Sequence, residues 1–141
     1  NTLNMVETRL ALECSVASLA ALRRSEDTVE KLKNDLLGME REIHNKEFFI
    51  EYDMNFHETI AQATANPVFV ALVAMLHNLM HTVQERFPDS LDARQKSLEY
   101  HKEIFSAIED KDAQKSSEIM RNHLEDIAQR LSQEEGDGDS S

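Results

Sequence analysis

An all-α fold, an antiparallel bundle of about six helices, is what this sequence predicts. Two observations carry the expectation. Three glycines, two prolines, two tyrosines and no tryptophan among 141 residues leave little material for turns or aromatic-rich strands. Apolar residues instead recur at spacings of three and four over long stretches, and short breaks separate those stretches.

The first helix is expected from Asn4 to Arg24, with Val6, Leu10, Cys14, Ala17 and Ala21 as its buried stripe. Its small residues, Ala11, Ala17, Ala20 and Ala21, would let another helix approach closely. Arg9 and Glu13 stand four residues apart beside that stripe. The simpler reading is a surface ion pair worth a few tenths of a kcal/mol; the sharper one is an Arg9 that points inward and binds an anion. Ser25, followed by Glu26, Asp27 and Thr28, has the character of an N-cap and acidic first turn. The second helix then runs to about His44 and buries Val29, Leu32, Leu36, Met39 and Ile43, weakened slightly by Gly38.

A third helix, about Glu47 to Thr64, turns Phe49, Phe56, Ile60 and Ala63 inward. Asn66-Pro67 ends it and opens a fourth, because proline is favoured at a first helical position. That fourth helix, to about Arg86, is the most apolar and is expected at the centre of the core. The break Phe87-Pro88-Asp89 leads to a fifth helix, about Ser90 to Glu109, burying Leu98, Phe105 and Ile108. Across Asp110-Lys111-Asp112 a sixth follows, about Asp112 to Gln133, burying Ile119, Leu124, Ile127 and Leu131. Residues 1–3 read as the end of a linker, 4–134 as the domain and the acidic, Gly/Ser-containing 135–141 as a disordered tail.

A net charge of −12 makes this polypeptide a poor partner for phosphate backbones, so any DNA contact would have to come from another segment. No apolar run approaches the roughly 18 residues a membrane span requires. Cys14 is alone, which excludes an internal disulfide and fits a reducing, cytoplasmic setting.

The stretch EYDMNFHETIAQATA, residues 51–65, carries the chemistry. Asp53 and His57 lie four residues apart, hence one above the other on one helix face. A carboxylate and an imidazole so placed can grip a metal ion, although a helix-surface hydrogen bond would account for them equally. His101 precedes Asp112 by eleven residues and His123 follows it by eleven. If the chain reverses there, the two histidines face each other at one height. Asp53, His57, His101 and His123 would then form a three-His, one-carboxylate set that suits Zn, Ni, Mn or Fe(II) and leaves coordination positions free. His77 and His81 form a second i,i+4 pair; they read as cavity or surface histidines, with a site built on the third and fourth helices as the competitor. His44, at a helix C-terminus, is given no further role.

Gly-rich phosphate loops, HExxH and GxSxG do not occur, and no histidine has a glutamate three residues before it, as a di-iron bundle would need.

Four stretches, ETRLALE with its alanine-rich continuation, DMNFHETIAQATANP, YHKEIFSAIEDKD and MRNHLEDI, resemble the C-terminal effector domain of GntR-family transcription regulators of the FadR subgroup, over about Val6 to Leu131. The resemblance implies a bundle of six or seven helices around a cavity. It implies one divalent transition metal (Zn, Ni or Mn) on Asp53, His57, His101 and His123, helping to hold a small carboxylate effector that Arg9 grips. The acyl-CoA-binding branch of that family lacks the full donor set, so the metal-dependent branch is expected. Such regulators touch DNA through an N-terminal winged helix-turn-helix, which these 141 residues do not contain, so an isolated domain is expected. A homodimer is expected as well. A metal-dependent enzyme acting on a small organic acid, and a bundle with only structural histidines, are the alternatives.

Overall fold

The computed structural model describes residues 2–82 and 89–139, with side chains described over 3–81 and 89–133. These residues form six α-helices and no strand: α1 (Thr2–Arg23), α2 (Glu26–Arg41), α3 (Lys46–Ala63), α4 (Pro67–Thr82), α5 (Leu91–Glu109) and α6 (Ala113–Asp139).

Local chemistry sets the helix starts. The Ser25 hydroxyl accepts from the Thr28 amide at 3.1 Å while the Thr28 hydroxyl accepts from the Ser25 amide at 2.9 Å, a reciprocal cap on α2. Asn45 caps α3 through the Phe48 amide and Ser90 caps α5 through the Ala93 amide. Asn66 accepts from the Val68 amide at 3.0 Å, with Pro67 as the first residue of α4. Between α5 and α6, Lys111 adopts a left-handed φ of 58°. The Asp112 amide donates to Ala107 O at 2.8 Å and the Lys111 amide to Ile108 O at 3.0 Å. This Schellman-type closure, with lysine where glycine is favoured, reverses the chain sharply.

Helix α1 is the axis of the bundle. It packs most extensively on α6 and also touches α3, α4 and α5. Ala17, Ala20 and Ala21 are fully buried, and the Ser116 hydroxyl of α6 donates to Ala17 O at 2.9 Å, a contact that larger side chains on α1 would block. At the end of α1, Arg23 donates to Thr64 O and Arg24 to Glu109 O, which sets cations at the C-termini of α3 and α5.

Three expectations are corrected. The central helix is α1, not α4. Val73, Leu76 and His77 of α4 are buried, but Val68 is 64% exposed, Met75 55% and Leu79 53%. Apolar composition around a whole helix does not say which side faces the core, and among the described residues α4 packs mainly on α3 and α1. Residues 2–3, expected as linker, belong to α1. The backbone of α6 stays helical to Asp139, past the expected boundary at 134, because Ser132-Gln133-Glu134-Glu135 holds no breaker. The expected end of α4 at Arg86 and the break at Phe87-Pro88 lie outside the described residues.

Gly38 does more than weaken α2. A Cβ at this position would stand 2.4 Å from the Tyr52 ring of α3, whose hydroxyl is held by Arg41 at 2.8 Å. Gly38→Ala, which raises helix propensity, is therefore expected to destabilise the fold by about 1–3 kcal/mol through overpacking, measured by urea unfolding.

Candidate metal and effector site

Four helices bring their polar residues to one place. From α3, His57 is 3% exposed and Asp53 has a side chain 28% exposed; His101 of α5 and His123 of α6 are fully enclosed. The reversal at Lys111 puts the rings of His101 and His123 4.9 Å apart, and His57 lies 5.0 Å and 5.8 Å from them. Nε2 of His57 is 3.1 Å from Nε2 of His101, and Asp53 Oδ1 is 2.7 Å from the latter and 3.3 Å from the former.

The three imidazoles fit a divalent metal, with the Asp53 carboxylate at hydrogen-bonding distance from one of them. Two nitrogens, each about 2.1 Å from one ion, stand roughly 3.0 Å apart at a right angle and roughly 3.4 Å apart at the tetrahedral angle. The 3.1 Å between the His57 and His101 nitrogens falls inside that interval. Ligating atoms of His57, His101 and His123 all lie within 4.8 Å of one another. The outer nitrogen of His101 is committed elsewhere: its Nδ1–H donates to Ser97 O at 2.6 Å, so Nε2 faces the cluster.

The acid that completes the site was read from sequence only as half of an ion pair. Glu13 of α1 is 2% exposed; its Oε1 lies 2.6 Å from His57 Nδ1 and its Oε2 accepts from Arg9 Nε at 2.6 Å. The surface reading of Arg9 and Glu13 is thereby corrected: Arg9 is 5% exposed and points inward. The buried face of α1 follows Val6, Arg9, Glu13, Val16 and Ala20, a heptad-like spacing that the sequence does contain. His77 is 1% exposed, with Nε2 3.9 Å from Glu13 Oε1 and an Nδ1 that has no hydrogen-bond partner. His81 is exposed on the cavity's edge. Neither joins the Asp53 cluster; His77 approaches His57 from its Glu13 side.

Arg9, Phe49, Asp53, His57, His77 and His123 line one cavity of about 150 Å³. One water requires roughly 10–15 Å³ of such space, so a small organic acid can be accommodated.

Burial penalises each charge in the site, and neighbours decide the outcome. Arg9 and His57 hold Glu13 well below the usual carboxylate range against that penalty, and His101 and His57 do the same for Asp53. Burial would lower His57, yet Glu13 and Asp53 raise it from 6.5 to about 9. Burial, reinforced by His101 and His57, pushes His123 well down, which keeps its lone pair available.

The FCD domain profile matches residues 4–126. The chain belongs to the FCD domain family. It is 31% identical over 135 residues to the Uxu operon transcriptional regulator of Escherichia coli (strain K12), covering 90% of this chain and 52% of that protein. Identity to the Galactonate operon transcriptional repressor of the same strain is 28% over 129 residues, covering 90% and 56%. The solved structure of Streptococcus agalactiae GntR matches with a TM-score of 0.79 at 25% identity, covering 92% of this chain and 58% of that one. This FCD domain spans about half the length of the curated relatives it matches. It is a regulatory domain of the kind GntR-family transcription regulators carry.

The raised His57 pKa has a consequence for the metal-free FCD domain. The folded state keeps a proton that the unfolded chain releases near 6.5, so the stabilisation is complete below 6.5 and is lost as pH rises to about 9. Chelator-treated protein is expected to lose unfolding free energy across that window, and His57→Gln to flatten the decline, measured by denaturant titration at stepped pH.

Proposed function

We propose that this FCD domain senses a small carboxylate effector at a divalent metal site and, in a longer regulator acting in the cytoplasm, adjusts DNA binding by a helix-turn-helix segment outside this chain. The observation that carries the reading is the convergence of His57, His101 and His123, with Asp53 against His101, next to a cavity that Arg9, Asp53, His57 and His123 line. A Zn, Ni or Mn ion held by those four residues would supply a Lewis-acid centre for an effector oxygen. Arg9 uses Nε on Glu13, and its other N–H groups remain to pair with the effector carboxylate. Phe49 and the buried histidines make the inner wall of the cavity poorly solvated, which strengthens both contacts.

Metal analysis and thermal melting test this reading. One divalent ion per chain is expected, lost in His57→Ala and retained in His44→Ala; equal loss in His77→Ala would favour a site on α3 and α4. With metal present, lactate, a sugar acid, a dicarboxylate or an aromatic acid should raise the melting point. The stabilisation should grow as RT ln(1 + [L]/Kd), about 2.7 kcal/mol at 100 times Kd, and vanish on chelation or in Arg9→Ala. Equal stabilisation of metal-free protein by these acids would make the metal structural and end the effector mechanism.

We also propose that the domain forms a homodimer through the outer face of α4. Val68, Leu72 and Met75 are exposed along one side of this helix. Alone among the six helices, Pro67–Thr82 contains no Asp, Glu, Lys or Arg. Two copies, each of net charge −12, meet with least repulsion there. Met75→Glu is expected to convert the dimer to monomer in sedimentation equilibrium; a wild-type domain that stays monomeric at high concentration would rule this interface out.

A further inference from the structure

Two trios of metal-ligating groups overlap at His57. One is His57, His101 and His123; the other is Glu13, His57 and His77. The imidazole of His57 offers one nitrogen to each side, Nε2 toward His101 and Asp53 and Nδ1 toward Glu13. We propose that Glu13 is not a ligand but the positioning residue of the site: it holds the Nδ1–H of His57 and so presents Nε2 to the ion. This inference rests on the metal reading above.

Three features carry it. Glu13 is already engaged through both oxygens, Oε1 with His57 and Oε2 with Arg9 at 2.6 Å each. A dication in the Glu13 trio would stand beside the Arg9 guanidinium, itself 5% exposed, where like charges repel with little screening. On the opposite side of His57 the nearest charged group is Asp53, a carboxylate that attracts the ion instead.

His101 supplies the third feature, because it is built the same way. Its Nδ1–H is fixed by a neutral acceptor, Ser97 O, and its Nε2 also faces Asp53. Two histidines from different helices thus turn the same nitrogen toward the same point, each with the other nitrogen tied down. The acceptor for His57 is a carboxylate, and a carboxylate behind a ligating imidazole raises its basicity as well as orienting it. Glu13 therefore makes His57 the strongest of the three imidazole donors, and its charge, added to that of Asp53, offsets that of the ion.

Zinc and cobalt serve as probes. In ¹⁵N NMR of zinc-loaded wild-type protein, His57 is expected to carry a proton on Nδ1 and zinc on Nε2. In chelator competition Glu13→Ala should bind zinc 10–100-fold more weakly. Glu13→Gln, which keeps an acceptor without the charge, should lose less, and its cobalt-loaded form should retain the visible absorption pattern of the wild type. Zinc on Nδ1 of His57, or unchanged affinity in a folded Glu13→Ala, overturns the inference while leaving a metal site in place. Should Glu13→Ala fail to fold, the wild-type NMR decides alone. Wild-type protein that takes up no zinc or cobalt overturns the metal reading and this inference together.

Discussion

A chain of buried charge runs through the middle of this bundle: Arg9 to Glu13, Glu13 to His57, and His57 and His101 to Asp53, with successive contacts from 2.6 to 3.3 Å. It joins α1, α3 and α5, and none of these groups is affordable alone. A charge removed from water is tolerated only where opposite charge and hydrogen bonds replace hydration, and deletion of one partner strands the next. The relative heights of the three helices are therefore constrained by the polar chain as much as by apolar packing. The rest of the bundle serves that constraint. Alanines on α1 admit α6 closely enough to bring His123 in, and Arg23 and Arg24 fasten the C-termini of α3 and α5 to the end of α1.

The fold was largely legible because its helix boundaries are chemical. Ser25, Asn66-Pro67 and the Asp110–Asp112 break each act locally, and the structure puts helix ends at all three. The proximity of His101 and His123 was legible for a geometric reason: equal distance from a sharp reversal places two residues at one height in an antiparallel pair. Glu13 was not. Arg-x-x-x-Glu is the common pattern of exposed helix pairs, and only the full spacing Val6, Arg9, Glu13, Val16 and Ala20 places both residues on the buried face. A stripe drawn through Leu10 leaves both residues beside it, where the surface and inward readings of Arg9 both stay open. The position of α4 was missed for the opposite reason. Its sequence is apolar on all sides, and composition does not distinguish a core helix from a peripheral one with two apolar faces.

That two-faced character joins the site to the surface. His77, facing the cavity, and Met75, 55% exposed, are two residues apart on α4 and so about 200° apart around it. Met80 also lines the cavity, while Val68 and Leu72 share the outer face. A rigid helix cannot shift one face without the other. An acid held between Arg9 and the α3–α5–α6 cluster would fill space that His77 and Met80 border, so a change in how α4 sits over the cavity is also a change in what it presents outward. The size of any such effect is bounded by the difference in the ligand's affinity for the two placements of α4, not by the strength of binding. This is where the cavity wall matters. Arg9 and the histidine cluster lie on helices locked by the buried charge chain, whereas among the described residues α4 approaches it through His77, 3.9 Å from Glu13 and 3.6 Å from Glu58 of α3. Under the proposed sensing role, the tightly held side would supply affinity, and α4 would be the helix that differs between states.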